Sequence, residues 1–311
     1  MFCSTIILTI NRSTLSRAVW SILNQEVREE FEVIVVNDSG KPLPKMDWQG
    51  SPRVKILHTF RRERCVARNV GAGIANGEYL HFLDDDDWML PGAFEKLSDL
   101  ASRSPEAWLY GGYELVDNSG CLITQCSPDE RGNCFIRFIS AEWLPLQASL
   151  IKSEAFFSVG GFASLESLLG GDEDVDLARQ IALKHSITGI AEIVAAIRVG
   201  MENSTTNYKN LVDQSRQSRE RALCKPGALK RLQASADSRP TTPEYWHGRI
   251  VSCYLGSLKW NLRHNKLLTA ICRGCCAIAS LAISSRYIIR KNFWSGIIKP
   301  HIAKAWLSSR A

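Results

Sequence analysis

The C-terminal part of this 311-residue chain contains no acidic side chain. From position 245 to position 311 there is neither Asp nor Glu, whereas eleven Lys and Arg residues occur there and the net charge of the whole chain is only +6. The first 244 residues therefore form a mildly acidic body that carries a strongly basic tail. This imbalance favours an anionic partner for the tail, such as a membrane surface, although basic helices are also often merely solvated.

A secretory leader is not expected, and the sequence contains no long apolar run. Its first residues pass directly into a strand-like segment with no basic leader and no cleavage site, so we expect no signal peptide and a cytoplasmic location. In the tail, the uncharged stretch 274–283 is too short to span a bilayer. We therefore expect at most a peripheral position on the inner leaflet of the membrane.

A structural zinc site is not supported either. Ten cysteines are scattered along the chain. Cys272, Cys275 and Cys276 have a zinc-like local spacing, but no second Cys or His pair follows at the distance that a tetrahedral site needs. In a chain that is not exported, we expect these cysteines to be reduced thiols.

Strand and helix patterns alternate in the first half of the chain, which is typical of an α/β protein with a largely parallel sheet. Apolar runs predict strands at residues 5–10, 31–36, 54–57 and 79–83. We expect Ser13 to cap a first amphipathic helix, and Gly77 to be the left-handed C-cap of a second helix over residues 64–76. Later patterns predict a hairpin over 108–125, helices near 153–159 and up to 184, and an extended segment over 187–198.

Polar side chains follow three of the predicted strands at the points where they end. Thr9 and Asn11 follow the first strand. Asp38 follows the second strand, and the four aspartates at 84–87 follow the fourth. Ligands of open α/β sheets bind beyond the carboxyl ends of the strands, so we expect these groups to converge on one site.

The run of four aspartates predicts a metal site. Like charges this close repel one another, and a hard divalent cation such as Mg²⁺ or Mn²⁺ removes the conflict while leaving coordination positions for substrate phosphates. The alternative is a solvated acidic turn before the next helix. Because the acids follow a buried strand and precede Trp88, we favour the metal site.

Six short segments occur in an order that resembles the family 2 glycosyltransferases. They are residues 7–12, 35–40, 67–71, 77–88, 160–162 and 171–174. The resemblance implies the GT-A fold, a Rossmann-like α/β/α sandwich with a mostly parallel central sheet, here with a C-terminal α-helical extension. It implies a catalytic domain over 1–206, with a nucleotide-sugar-binding half (1–88) and an acceptor-binding half (89–206), and a basic extension over 207–311.

By this resemblance the protein is an inverting glycosyltransferase that depends on a divalent cation, Mn²⁺ or Mg²⁺. The donor is expected to be a UDP-linked sugar, and the acceptor a hydroxyl of a glycan or lipid-linked molecule in cell-surface polysaccharide synthesis. Inverting transfer needs a carboxylate that takes the proton of the acceptor hydroxyl on the side of the sugar opposite the departing diphosphate. The two separate groups of acids, near residues 85 and 174, are suited to this arrangement.

The resemblance also implies which acids carry the chemistry. Asp174 corresponds to the catalytic base, with Glu173 beside it on the acceptor side. Asp86 corresponds to the direct metal ligand, with Asp84 as its partner. For Glu173 the alternative is a structural role, as a negative charge that favours a helix N-terminus.

A further group of residues is expected to bind the donor. Asp38 corresponds to the acid that accepts from the nucleobase, and Asp85 to a residue that faces the ribose or the diphosphate. The remaining residues of this group are Thr9, Asn11, Arg12, Arg64, Arg68 and Asp84, with Arg61 and Arg62 as additional nearby cations. For Arg68 the alternative is helix packing.

The chain departs from the family pattern at two places. Ile10 stands where an aromatic residue often packs on the nucleobase, so we expect base stacking to be weaker or supplied elsewhere. The segment 198–204 resembles the family's Arg-x-His stretch but lacks its histidine. Either Glu202 or water then completes the metal shell, or this loop does not touch the metal.

Two other functions remain open on sequence grounds. A nucleotidyltransferase would use a similar aspartate site, although the expected Gly-rich basic loop after the first strand is absent. A non-catalytic protein could bind a membrane surface or nucleic acid through its tail, but we find no nucleic-acid-reading motif and expect no nucleic acid partner. Two helices predicted over 245–265 and 266–285 either hold the enzyme at an anionic leaflet or simply complete the fold.

Overall fold

The computed structural model describes residues 1–60, 63–140, 144–199, 208–239 and 242–298. The strands are β1 (Cys3–Thr9), β2 (Phe31–Asn37), β3 (Val54–His58), β4 (Tyr79–Asp84), β5 (Trp88–Met89), β6 (Trp108–Val116), β7 (Leu122–Cys126), β8 (Ser149–Lys152) and β9 (Ile187–Arg198). The helices are α1 (Leu15–Leu23), α2 (Arg64–Gly73), α3 (Ala93–Arg103), α4 (Phe135–Ile139), α5 (Ser153–Ser158), α6 (Glu173–Lys184), α7 (Tyr208–Leu223), α8 (Ala228–Asp237), α9 (Pro243–Arg263), α10 (Leu267–Ile283) and α11 (Lys291–Ile298).

The nine strands found in the described ranges belong to one sheet. Its order is β3-β2-β1-β4-β8-β6-β9-β5, and β7 pairs with β6 outside this path. Strands β3, β2, β1 and β4 run parallel, whereas the antiparallel pairs involve the later strands β5, β7 and β8. The expected α/β fold with a mostly parallel sheet and a helical C-terminal region is confirmed, as is the β6–β7 hairpin.

The central strands β1 and β2 carry mostly apolar side chains on both faces. Every residue of β2 is buried, and so is all but one residue of β1, as expected of strands covered by helices on both sides. The amphipathic α1 buries Leu15, Ala18, Val19 and Ile22 against this sheet. The predicted cap at Ser13 is wrong, because the N-cap residue is Thr14 and its side chain makes no capping hydrogen bond.

Gly77 has a different role from the one predicted. Helix α2 ends at Gly73 with Ile74 as its C-cap, and Gly77 does not adopt a positive φ. A Cβ at Gly77 would stand 2.4 Å from the backbone nitrogen of Ser4. Glycine is therefore required here because the chain enters β4 in direct contact with β1, and not because a helix ends.

The C-terminal helices pack on one another and on the body. As predicted, two helices, α9 and α10, flank a short connection near residue 264, and they lie against each other. Helix α11 crosses α9 with the backbones in contact, since a Cβ at Gly248 would stand 2.0 Å from the carbonyl oxygen of Phe293. Among the helices that the structure describes, none is long and apolar enough to cross a membrane.

The tail shares its hydrophobic core with the body. Trp246, Ile250 and Tyr254 of α9 belong to the same buried cluster as Phe138 of α4 and Ile181 of α6. Each fully buried side chain of this kind stabilises the fold by about 1.5–3 kcal/mol. The predicted boundary at 206/207 lies outside the described residues and stays a prediction.

Candidate active site

Three neighbouring strands bring polar side chains to one edge of the sheet. Thr9, at the end of β1, pairs with Asn37 at the end of β2, and Leu8 pairs with Asp84 at the end of β4. Asp38 follows β2, and its backbone N–H donates to the carbonyl of Thr9 at 2.9 Å. The strand ends therefore converge as the sequence pattern indicates.

Three of the four aspartates form a cluster. Carboxylate oxygens of Asp84, Asp86 and Asp87 lie within 4.8 Å of one another. A tight turn produces this arrangement, because the backbone N–H of Asp87 donates to the carbonyl of Asp84 at 3.1 Å. The predicted pair Asp84 and Asp86 is thus brought together, and the structure adds Asp87.

Burial and mutual repulsion oppose the charges of this cluster. Burial raises the pKa of Asp86, and the nearby charge of Asp84 raises it further, whereas Arg12 lowers it. Burial and the charges of Asp84 and Asp86 raise the pKa of Asp87 well above its ordinary value. A divalent cation fits this set of hard oxygen donors, because it would compensate charges that the protein leaves partly uncompensated.

The side-chain amide of Gln147 orders the cluster. Its Nε2 donates to Asp87 at 2.9 Å and to Asp84 at 3.2 Å. The other oxygen of Asp87 accepts from the backbone N–H of Arg198 at 2.7 Å. Sequence reasoning missed Gln147 because a lone glutamine 60 residues away from Asp87 belongs to no motif.

Asp85 turns away from the other three aspartates. Its side chain is 1% exposed, accepts from the hydroxyl of Thr9 at 2.6 Å and forms an ion pair with Arg12. These bonds connect the end of β4 to the loop after β1. Arg12 is 47% exposed and its Nη1 lies 3.8 Å from a carboxylate oxygen of Asp86, so a cation stands at the rim of the cluster. The expected contact of Asp85 with ribose or diphosphate stays a prediction.

Arg68 joins the aspartate cluster to the start of α6. Its Nη2 donates to Asp84 at 2.7 Å and its Nη1 to Glu173 at 3.1 Å, and its side chain is only 9% exposed. Arg64, one turn earlier in α2, pairs with the same Glu173. Burial alone would raise the pKa of Glu173, but the two arginines outweigh burial and lower it to about 2.

Arg68 has a structural role, because its ion pairs attach α2 to the end of β4 and to the start of α6. Contacts of Arg64 and Arg68 with the donor diphosphate stay predictions, since the structure shows both side chains in ion pairs with protein carboxylates. Glu173 is likewise more than a charge at a helix N-terminus. Its carboxylate pairs with both arginines of α2 and so attaches α2 to the first turn of α6.

Asp174 lies in the first turn of α6. Its side chain is half-buried, and one carboxylate oxygen accepts from the backbone N–H of Val175 at 2.9 Å. Asp174 therefore lies at the positive end of the dipole of α6, where a negatively charged side chain is favoured.

A buried arginine holds the loop before α6 in place. Arg179 donates from Nε to the carbonyl of Phe138 at 3.0 Å and from Nη1 to the carboxylate of Asp172 at 3.0 Å and the hydroxyl of Ser218 at 2.6 Å. Asp172 adopts a left-handed backbone with φ of 68°, which is uncommon for a residue with a side chain. Helix α7 thus helps to fix the backbone that leads into Asp174.

Two loops meet beside Asp38. The hydroxyl of Thr59 donates to Asp38 at 2.6 Å. Asn11, with φ of 68°, donates from Nδ2 to the hydroxyl of Ser39 at 3.0 Å and so connects the loops after β1 and β2. The expected donor contacts of Thr9, Asn11 and Asp38 stay predictions.

An aromatic pair follows β3 next to this region. The rings of His58 and Phe60 are stacked with centroids 5.5 Å apart, and Phe60 is 56% exposed. His58 pairs with Asn37 of β2, which places the end of β3 beside the loop that carries Asp38. Sequence reasoning missed Phe60 because its place depends on the register between β2 and β3. Arg61, Arg62 and Glu202 lie outside the described residues.

Comparison with known proteins gives a family match. The sequence profile described as Glycosyl transferase family 2 matches residues 4–164. An uncharacterized glycosyltransferase of Haemophilus influenzae is 28% identical over 233 residues, which are 69% of this chain and 76% of that protein. The poly(ribitol-phosphate) beta-N-acetylglucosaminyltransferase TarP of Staphylococcus aureus is 31% identical over 155 residues, which are 48% of this chain and only 43% of TarP.

Solved structures of S. aureus TarS have a similar fold. TarS residues 1–349 in complex with UDP superpose with a TM-score of 0.59 over 96% of this chain and 90% of that chain, at 15% identity. The complex of the same fragment with UDP-GlcNAc gives a TM-score of 0.57 over 87% and 89%, also at 15% identity. At this level of identity the likeness shows the fold alone.

Replacement of Arg68 by Met is expected to destabilise the protein by about 3 kcal/mol at neutral pH, because the buried Glu173 and the half-buried Asp84 lose their shared cation. The pKa of Glu173, lowered from 4.5 to about 2, contributes stability above pH 4.5 that is lost as the pH falls towards 2. The difference in unfolding free energy between wild type and Arg68→Met should therefore become smaller as the pH falls over this range. Urea unfolding at pH 7 and pH 3 measures it.

Arg103→Met provides the matched control, since Arg103 is exposed at the end of α3. It should change the unfolding free energy by no more than about 0.5 kcal/mol. An Arg68 variant as stable as this control would show that the bridge between Asp84 and Glu173 does not hold the site together.

Proposed function

Because the chain belongs to glycosyl transferase family 2, whose profile matches more than half of it, we propose that it transfers a sugar with inversion from a UDP-linked donor to a hydroxyl of a glycan or lipid-linked acceptor. The family predicted from the six sequence segments is confirmed, and the protein is a glycosyltransferase that uses a nucleotide-sugar. A UDP donor is supported by the TarS complexes with UDP and UDP-GlcNAc, whose fold this chain shares. The name of TarP, a poly(ribitol-phosphate) beta-N-acetylglucosaminyltransferase, supports a polymer as acceptor.

One observation carries the proposed mechanism. Arg68 holds the aspartate cluster and the first turn of α6 at the same edge of the sheet, although Asp84 and Glu173 are far apart in the chain. A donor diphosphate at the cluster would therefore leave its sugar next to Asp174. This is the arrangement that an in-line displacement at the anomeric carbon needs.

In the proposed reaction, the acceptor oxygen forms a bond to the anomeric carbon while the bond from that carbon to the diphosphate oxygen breaks. Asp174 takes the proton of the acceptor hydroxyl as this happens. Asp84, Asp86 and Asp87 would hold a divalent cation, which when bound neutralises charge on the leaving diphosphate. Arg12, at the rim of the cluster, adds a protein cation on the same side.

The nucleotide is proposed to bind between the loops after β1, β2 and β3. Asp38 would accept from the base, and Thr59 keeps its carboxylate oriented for that task. The exposed ring of Phe60 would supply the stacking surface that Ile10 does not. As part of the same proposal, residues 1–88 form the half of the catalytic domain that binds the nucleotide-sugar, and residues 89–206 form the half that binds the acceptor.

The tail is proposed to hold the enzyme at an anionic membrane surface. Helix α10 spans about 25 Å and presents an apolar face to solvent. On that face Leu267, Leu268, Ile271 and Ile278 are between 55% and 84% exposed. Its one charged residue, Arg273, is instead buried against Glu220. Basic residues flank this face before and after the helix, at positions 263, 266, 286, 290 and 291.

A lipid surface suits this face better than a second copy of the chain. Two copies that met through α10 would bring their basic flanks together without any acid of the tail to pair with them. Anionic headgroups pair with those flanks while the acyl region receives the apolar face. The alternative considered from sequence is that the tail helices only complete the fold. That role explains the buried residues of α9, but the described residues leave this face of α10 uncovered.

Asp174→Asn is expected to lower the rate of sugar transfer by about 10²–10⁴-fold, because the variant cannot take the acceptor proton. Binding of the UDP-sugar should be largely unchanged. Release of UDP measures transfer, and calorimetry measures donor binding. Glu166→Gln, the same change of group on an exposed residue of the preceding loop, should retain full activity. Full turnover by Asp174→Asn would reject the mechanism, and release of pyrophosphate in place of UDP would identify a nucleotidyltransferase.

Mn²⁺ is expected to increase the thermal stabilisation that UDP confers, since a ligand bound only to the folded state raises stability by about 2.7 kcal/mol at 100 times its Kd. Asp86→Ala should remove this Mn²⁺-dependent part. Asp99→Ala, at an exposed position of α3, should retain it. A thermal-shift series with several nucleotide-sugars also identifies the donor. An unchanged Mn²⁺ effect in Asp86→Ala would place the metal elsewhere.

Leu268→Glu combined with Ile271→Glu is expected to reduce flotation of the protein with phosphatidylglycerol vesicles by about tenfold or more, because two charges would enter the apolar face. Phosphatidylcholine vesicles should bind wild type weakly. Leu122→Glu with Ile123→Glu, on the exposed surface of β7, is the matched control and should float like wild type. Substitutions are preferable to truncation, since α9 contributes to the core. Equal flotation of both double variants would contradict membrane binding through α10.

A further inference from the structure

A second charged cleft lies away from the candidate active site, between α7, α9 and α11. Its volume is about 320 Å³. Along α9 the lining residues recur every three or four positions, so they form one stripe of that helix. Five of the lining residues are cations, namely Arg216, Arg219, Arg249, Lys259 and Arg263.

The two helices present these cations to each other. Arg216 and Arg219 come from one face of α7, and the stripe of α9 lies opposite. Gly256 stands at the middle of that stripe, and a Cβ there would lie 3.6 Å from Nη2 of Arg219. The guanidinium of Arg219 therefore lies against the backbone of α9 at Gly256, where no side chain covers the helix.

Protein carboxylates compensate little of this charge. Asp213 pairs with Arg216 at the surface, at 3.2 Å. The nearby Glu220 is occupied by Arg273, Ser257 and Asn261. Within the described residues, the side chains of Arg219, Arg249, Lys259 and Arg263 form no ion pair.

Two of the arginines also keep unused hydrogen-bond donors. The buried Nε atoms of Arg219 and Arg249 have no hydrogen-bond partner among the residues that the structure describes. Nη1 of Arg249 donates to the carbonyl of Gly296 at 3.1 Å, which holds its guanidinium in position. Burial lowers the pKa of Arg219, and the charges of Arg179 and Arg216 lower it further. A bound anion would accept hydrogen bonds from the unpaired donors and reduce the repulsion between the like charges.

We propose that this cleft binds a phosphate or diphosphate group. Guanidinium groups donate in pairs to phosphate oxygens, and Lys259 and Arg263 are exposed at the cleft, where an incoming anion meets them. The wall contributed by Trp260 gives the ligand an apolar side as well. The cleft is built from α7, α9 and α11 and shares no lining residue with the aspartate cluster. The inference does not depend on the proposed glycosyl transfer. A phosphate-bearing acceptor or an anionic lipid headgroup presents the same chemistry.

Calorimetric titration with inorganic pyrophosphate in the presence of EDTA tests the proposal, because chelation keeps the aspartate cluster free of divalent cations. Wild type should bind pyrophosphate saturably, and added salt should weaken the binding. Lys259→Gln with Arg263→Gln, two exposed positions, should raise the Kd by about tenfold or more. Lys96→Gln with Arg103→Gln on α3 removes the same charge elsewhere and should bind like wild type.

Arg219→Met tests the interior of the cleft. It should abolish pyrophosphate binding without lowering the melting temperature, because the side chain of Arg219 makes no hydrogen bond or ion pair within the described residues. Absence of saturable pyrophosphate binding by wild type would overturn the proposal. So would equal binding by wild type and the Lys259/Arg263 double variant.

A competition experiment identifies the source of the phosphate. If excess pyrophosphate releases wild type from phosphatidylglycerol vesicles, the group bound in the cleft is a lipid headgroup. If saturable pyrophosphate binding is found without such release, the cleft takes a soluble phosphate-bearing ligand. Transfer activity is not a readout here, so failure of this inference is distinguishable from failure of the proposed reaction.

Discussion

The buried guanidinium of Arg68 is the interaction on which the candidate active site depends. It contacts an acid at the end of a sheet strand and an acid at the start of α6, and both belong to regions where negative charge is concentrated. A buried carboxylate without a cation would cost several kcal/mol, so an arginine between the two acidic regions stabilises their approach. The same contact fixes α2 relative to both. Strand, helix and loop are thereby held in one geometry.

The distribution of charge separates the molecule into two surfaces. Acids converge at the carboxyl ends of the parallel strands, where Asp84, Asp86 and Asp87 repel one another and fit a divalent cation. Cations are concentrated in the tail. Some of them serve the fold, as Arg273 does when it pairs with Glu220, and this pair leaves the solvent face of α10 without charge. Others, namely Arg249, Lys259 and Arg263, line a cleft and form no ion pair within the part of the chain that the structure describes. The tail therefore combines a structural role with surfaces suited to anionic ligands.

Much of the fold followed from local patterns. The alternation of apolar runs and amphipathic helices predicted β1 to β4, α1 and α2 to within a few residues, because period and burial are local properties. The errors occurred where a contact distant in sequence decided the outcome. Gly77 is required by the close approach of Ser4, more than 70 residues earlier, and not by a helix end. Gln147 and Phe60 carry no motif, since their positions depend on strand pairing.

The sequence by itself determined the family, the α/β class and the chemical identity of the candidate groups, because each depends on residue types in short segments. Only the tertiary structure decided which of those groups act together. It turned Asp85 inward to Thr9 and Arg12, added Asp87 to the cluster, and joined Asp84 to Glu173 through Arg68. The reason is physical: charges interact according to their distance and burial in space, and neither can be read from their spacing along the chain.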